Sequence, residues 1–377
     1  MTNQIKTTLF LFVLCSILTV GCDKDEDECS ETHVFNNATV AEKLSDIELC
    51  APCDAITLAG GSTDALADAV SRICEDGIIY LAAGMHTENS PITISKSIKL
   101  IGEPGAILKL PGEPKPLEFP EGTDGNFIIQ AGLHFLNSSA SLIQDIEIQP
   151  VQAEGNTAIL LENSNNSGVI NCTITDFQFG ILVEKSDDVV LMLNTIKTMG
   201  RWLDDPNYTD AHAITIINGK NVYIADNDVS NSVFGIWGCD ENGIMERNTA
   251  RDNFVGYILC NVPQNYMTLP QGNLTGALQP ANGYVVQNNS VSDSFGEGYL
   301  VIDGAHNNRL ENNSATNSGT YDMELTTLTL RFGIPAPEAY NNTVVVGNNP
   351  DFRIKDCGTN NTITGGVLVD TGTDECN

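Results

Sequence analysis

Positive charge is what this 377-residue sequence has least of: 18 lysines and arginines stand against 49 aspartates and glutamates, a formal net charge of −31. Nucleic acid and anionic membrane surfaces are bound through cationic patches, so both are excluded as natural partners. Polyanionic glycans such as pectin or alginate are disfavoured as well, unless Ca²⁺ bridges the two surfaces. Neutral glycans, or anionic ones with metal help, remain compatible. Long apolar runs are also missing. The longest, Leu9 to Leu18, is shorter than the roughly 20 residues a membrane-spanning helix requires.

That run follows a single cation, Lys6, and ends in Leu18-Thr19-Val20-Gly21-Cys22, the layout of a secretory signal. The ending resembles a bacterial lipobox, which implies lipidation of Cys22 and removal of residues 1–22. An ordinary signal peptide cleaved nearby is the alternative. With no other spanning segment, the lipid is expected to be the only membrane anchor. Asp23-Lys24-Asp25-Glu26-Asp27-Glu28 reads as a solvated tether. It also resembles the surface-export signal of Bacteroidetes lipoproteins, implying an outer-membrane lipoprotein that is surface-exposed or, otherwise, held at the periplasmic face. Residues 23–55 form this acidic tether and a cysteine-containing segment, and 56–377 form the folded body.

Nine cysteines follow Cys22, and in an exported chain disulfides are the default. Cys50 and Cys53 have the spacing of a redox or zinc pair, but no second pair or histidine follows at ligand spacing, so a structural bridge is expected there. Nine is odd, and Cys172 is the candidate for the unpaired thiol.

The fold class is legible in an internal period. Short apolar runs end repeatedly in asparagine followed by a small polar residue, as in Val169-Ile170-Asn171-Cys172, Leu191-Met192-Leu193-Asn194 and Met245-Glu246-Arg247-Asn248. Marker asparagines at 171, 194, 227, 248, 289, 313, 342 and 361 give a base step of roughly 22 residues with insertions. Within each step the alternation has period two, so the runs are strands. A second strand precedes each marker, for example Ala158-Ile159-Leu160-Leu161, Gly180-Ile181-Leu182-Val183 and Gly235-Ile236-Trp237-Gly238. One such coil cannot bury its inward face alone, and stacking coils about 4.8 Å apart closes a continuous core. Asparagine at the turn tolerates a left-handed φ and can bond its counterpart in the next coil. The asparagine series is therefore structural, and its Asn-x-Ser/Thr triplets are repeat grammar before they are glycosylation sites. Leucine-rich repeats and propellers fail on spacing and strand count.

Residues 63–73 have helical spacing with a candidate N-cap at Ser62 or Thr63, and strands follow at Gly77-Gly84, Ile92-Ile94 and Ile98-Gly102. This helix-plus-strands block, with the repeat, resembles right-handed parallel β-helix repeat proteins over residues 56 to 365. The resemblance implies an all-β, pectate-lyase-like solenoid with a short N-terminal capping helix and a glycan-related function. The family includes pectate lyases, polygalacturonases and alginate epimerases, so activity must be argued from a site.

Aligning the coils puts Leu160, Leu182, Thr215, Trp237, Ile258 and Leu300 at one outward position. An apolar outward stripe needs cover or a ligand. Insertions at 201–212 and 261–281 could wall a sugar-binding groove floored by Trp237, Ile258, Leu182 and Leu300, or the second could fold over the stripe and bury it. In the first insertion, Arg201, Tyr208, Asp210 and His212 offer the cation, acid and base that a lyase or epimerase needs, and the segment loosely resembles the alginate-epimerase motif. Polygalacturonase-like Asp187-Asp188 and Arg353-Ile354-Lys355 lack the intervening Gly-His-Gly, so paired-carboxylate hydrolysis is not expected. Asp240-Glu241 and Asp303 are possible pieces of a Ca²⁺ cluster, though their spacing does not gather them. Cys239 and Cys260 align in successive coils within disulfide range, or as a thiol pair fit for a soft metal. Cys357 and Cys376 are expected to staple the C-terminal end. The expected partner is a polysaccharide or cell-surface glycan, bound or processed in the groove. A non-catalytic structural or adhesive surface protein is the alternative, and no cofactor beyond Ca²⁺ is implied.

Overall fold

The computed structural model describes residues 54–116, 129–205, 211–263, 278–327, 336–369 and 376, all within the unit His33–Asn377. Lys6, Cys22, the acidic run, Cys50, Cys53, Tyr208 and Asp210 lie outside them. Among the described residues no helix is long and apolar enough to cross a membrane.

Three parallel sheets of twelve, eleven and nine described strands run the length of the molecule. A typical coil passes from the first sheet (Val190–Met192) to the third (Thr195–Lys197) and then the second (His212–Lys220), before rejoining the first at Tyr223–Ala225. Inward residues such as Ile159, Leu161, Ile181, Ile214 and Ile236 form one continuous core. Each such side chain, fully removed from water, contributes ~1.5–3 kcal/mol. Glycines inside the second-sheet strands are there for room. A Cβ on Gly180 would stand 2.5 Å from the Ala213 carbonyl oxygen, and one on Gly235 the same distance from that of Gly256.

The expected helix forms at Ala65–Arg72 and buries Leu66, Ala69 and Val70 against the strand Ala55–Leu58. Neither Ser62 nor Thr63 caps it. Asp64 occupies the cap with a left-handed φ of 51° and makes no side-chain capping bond. Instead the carboxylate of Glu88, from a neighbouring coil, accepts the Leu66 amide at 2.8 Å. A negative charge at the positive end of the helix dipole serves the same purpose as a local cap.

The asparagine series is real, but it divides into two ladders and two roles. Asn194, Asn227, Asn248, Asn289 and Asn313 stand at the corner between the first and third sheets, where each side-chain amide bonds the next at 2.9–3.1 Å. Asn308, Asn342 and Asn361 form a second ladder where the second sheet gives way to the first. The left-handed φ belongs to the residue before each ladder asparagine: Leu193, Asp226, Arg247, Asn288 and Asn312. Asn171 is one of these turn residues, with φ 51°, and Cys172 holds the ladder place, donating its amide to Asn194 Oδ1 at 2.9 Å. The two jobs separate because a buried ladder side chain must point inward, whereas the sharpest bend exposes its residue.

Cys239–Cys260 and Cys357–Cys376 are disulfides with Cα separations of 5.1 and 5.4 Å, and Cys74 is also disulfide-bonded. With Cys239 and Cys260 joined, no thiolate pair is left there for a soft metal. Cys172 is free and buried, and burial pushes its thiol up to about 12.

Candidate functional site

The outward position read from the sequence is a true register row of the second sheet. Leu160 pairs with Leu182, then Thr215, Trp237, Ile258 and Leu300 in successive strands. The middle of the row is covered. Trp237, Ile258 and Leu300 are 1%, 0% and 5% exposed, packed with Ala211, Ile217, Phe234, Val255 and Ile302 in a second apolar core outside the barrel of strands. Directly after Ile258 the chain leaves as the antiparallel pair Asn261–Pro263 and Leu278–Pro280, which lies against the strand Phe234–Glu241. The Trp237 indole N–H points at the Cys239–Cys260 sulfurs. A row of large apolar groups is too costly to leave wet, so the open Trp237 groove floor is corrected to a covered cluster.

The lyase-like set is not assembled among the described residues. Arg201 opens the short 3-10 turn Arg201–Leu203 and pairs with Glu154 at 2.5 Å. His212 is 1% exposed, its Nδ1 2.9 Å from Thr215 Oγ1 and its ring among Phe179, Phe234 and Trp237 at centroid distances of 5.3, 5.1 and 4.5 Å. Register explains the cage: Phe179, His212 and Phe234 occupy the same position in three successive coils. An imidazole enclosed in that way is out of reach of a dissolved substrate, which corrects the expectation of His212 as a catalytic base.

The remaining motif residues are structural. Asp187 pairs with Lys220 at 3.4 Å, Asp188 accepts from Asn221 at 3.0 Å, and Arg353 and Lys355 pair with Asp322 and Glu324 at 3.5 and 3.1 Å. Among the described residues no three His, Cys, Asp or Glu side chains converge to hold a metal ion. Asp303 accepts from Thr327 at 3.1 Å. Asp240 turns away from solvent altogether: it is wholly buried, takes the hydroxyl of Tyr284 on Oδ1 and has no partner on Oδ2.

Burial, with the nearby Asp187 and Glu241 charges, pushes the Asp240 carboxyl well above the usual carboxylate range. A raised folded pKa means its contribution to stability is full below the unfolded value of about 4 and is lost as pH rises through the folded value. Asp240→Asn is therefore expected to melt higher than the native chain at about pH 8, with the difference closing at about pH 4. Thermal unfolding followed by circular dichroism at both pH values checks this, and an equal offset at both would refute it.

The open part of the same sheet face lies toward the N-terminus. There the register row continues as Thr93, His134, Leu160 and Leu182, and a cavity of about 580 Å³ opens on it. Leu160, 8% exposed, forms its apolar floor, and Leu182, 1% exposed, packs against it. His134, Glu162 and Glu184 supply polar walls. His134 Nε2 is 2.9 Å from Glu162 Oε2. Glu162 and Glu184 are direct register partners one coil apart, and Lys185 lies 3.3 Å from Glu184. Of the sequence-predicted contact residues only Leu182 lines this cavity. The missed signal was the repeat of leucine, a core residue and glutamate in Leu160-Leu161-Glu162 and Leu182-Val183-Glu184, which stacks two carboxylates beside two leucines.

Residues 126–261 match the model of a protein family described as "Right handed beta helix region". Among curated proteins no relative matches the chain. A polygalacturonase from Erwinia carotovora ssp. carotovora is similar in structure, with a TM-score of 0.53 and 12% identity over 85% of this chain and 96% of its own. A family 28 exopolygalacturonase from Yersinia enterocolitica gives 0.56 and 12% over 84% and 75% of the two chains. A rhamnogalacturonan lyase gives 0.50 and 11% over 79% and 84%. Identities this low carry the architecture and leave the chemistry to the site. With three stacked parallel sheets, two interior asparagine ladders and these likenesses, the chain is by fold a right-handed parallel β-helix protein.

Proposed function

We propose that this chain is an exported lipoprotein, anchored through Cys22, that binds polysaccharide in the cavity between His134 and Glu184 and does not itself turn it over. The observation that carries the reading is the pairing of an apolar floor, Leu160 packed against Leu182, with hydrogen-bonding walls in about 580 Å³. Sugar rings present both kinds of surface, and that volume lies in the range of small-ligand sites. The similar polygalacturonases and rhamnogalacturonan lyase, by their names, act on polysaccharide. The disulfides fit an oxidising compartment. The acidic run after Cys22 supports the outer membrane, surface-exposed or at its periplasmic face. Binding is favoured over lyase or epimerase chemistry because His212 is enclosed and Arg201 pairs with Glu154.

The test is titration calorimetry of the chain against a glycan panel with and without Ca²⁺, with ultraviolet absorbance followed for unsaturated uronate products. Binding without products, weakened about tenfold or more by Leu160→Asp (roughly 1.4 kcal/mol), is the expected result. Product formation would make the protein a lyase. Silence on every glycan would leave a structural or adhesive surface protein.

A further inference from the structure

The geometry of the cavity points to its ligand class: we infer that it selects a glycan carrying a cationic amine, a deacetylated amino sugar, over neutral or N-acetylated chains. The inference rests on the glycan-binding reading above and narrows it. Two carboxylates, Glu162 and Glu184, stand in register on one wall, and the lining residues include no lysine or arginine. Lys185 lies beside the inner carboxylate at 3.3 Å, and the side chain of Glu184 is only 2% exposed. Glu162 is the outer one, with 19% side-chain exposure and His134 engaging its Oε2. Partial burial spares Glu162 much of the screening that weakens surface charges. Leu160, backed by Leu182, meanwhile offers the apolar face of the same sugar ring a small apolar patch. A protonated amine brings three donors to a wall rich in acceptors. The formal charge of −31 also draws cations toward the surface and disfavours uronates.

The experiment titrates the purified full chain with a chitosan oligosaccharide, the N-acetylated chitin oligosaccharide of equal length and a cello-oligosaccharide, at low and high salt. The expected result is about fivefold tighter binding of the amino form over both others at low salt, the size of a good partly exposed ion pair. The preference should shrink toward onefold at high salt as the charges are screened, and Glu162→Gln should lower it likewise. Equal affinity for all three glycans would overturn the inference while leaving the glycan-binding reading intact. So would a preference that survives both salt and Glu162→Gln. No binding of any of the three, on a chain that binds none of the wider panel, would remove both readings together.

Discussion

Trp237→Ala is expected to lower the free energy of unfolding by about 3–5 kcal/mol, the usual cost of removing a large aromatic side chain from a closed core. The ring is 1% exposed and packs on His212 and Phe234 at centroid distances of 4.5 and 5.4 Å, with its N–H on the Cys239–Cys260 bridge. Urea denaturation of the variant beside the native chain reads the effect directly. A groove floor behaves in the opposite way, since truncating an exposed ring leaves stability nearly unchanged and abolishes ligand binding. Loss of binding with an unaltered unfolding midpoint would therefore restore Trp237 to an open site and displace the covered cluster described above.

Asn248→Ala is the second large effect, expected at about 3 kcal/mol, because each buried polar group left without a partner costs ~1–3 kcal/mol. The Asn248 side chain accepts the backbone and side-chain amides of Asn227 at 2.9 Å each. It donates to the Ile224 carbonyl at 2.9 Å and to Asn289 at 3.1 Å. Alanine takes the side-chain acceptor away from the buried Asn227 backbone N–H, while Asn227 Nδ2 keeps the Leu191 and Ala225 carbonyls. Asn171→Ala is the comparison, since Asn171 is an exposed turn residue whose left-handed φ disfavours alanine by ~1 kcal/mol. Denaturation midpoints of the two variants separate the ladder from the turn. Equal losses would mean that the two jobs are not divided between adjacent residues.

That division shows how far the repeat could be read from the chain. Period-two alternation and a recurring asparagine are local statements about one coil, and every coil makes the same one, so the coil length and the outward row Leu160 to Leu300 came through correctly. The helix Ala65–Arg72 came through as well, but not its cap, because Glu88 reaches it from a neighbouring coil. The markers Asn342 and Asn361 looked like a continuation of the Asn194 series. Only the pairing of their strands within the first sheet shows that they belong to another corner. A repeat unit specifies what each coil needs, and it does not number the corners.

The candidate site was less legible for a related reason. His212 and Arg201 are the residue types that acid–base chemistry uses, and they sit in one insertion. Residue type does not reveal that Phe179 and Phe234, from the neighbouring coils, flank the imidazole edge-on and tilted. Glu162 and Glu184, by contrast, read as ordinary outward charges of a solvated sheet until the coils are superposed with Leu160 and Leu182 beside them.

By itself the sequence determined the parallel β-helix, its coil length and the nearness of Cys239 to Cys260 and of Cys357 to Cys376, because each follows from periodicity or spacing, while the summed charge only disfavours polyanionic partners. Tertiary structure alone decided which part of the outward row is sealed and which is open. Cover depends on where an insertion lands after leaving the coil, and no local pattern encodes that landing point. The same holds for Asp240, whose inward turn toward Tyr284 joins residues 44 positions apart.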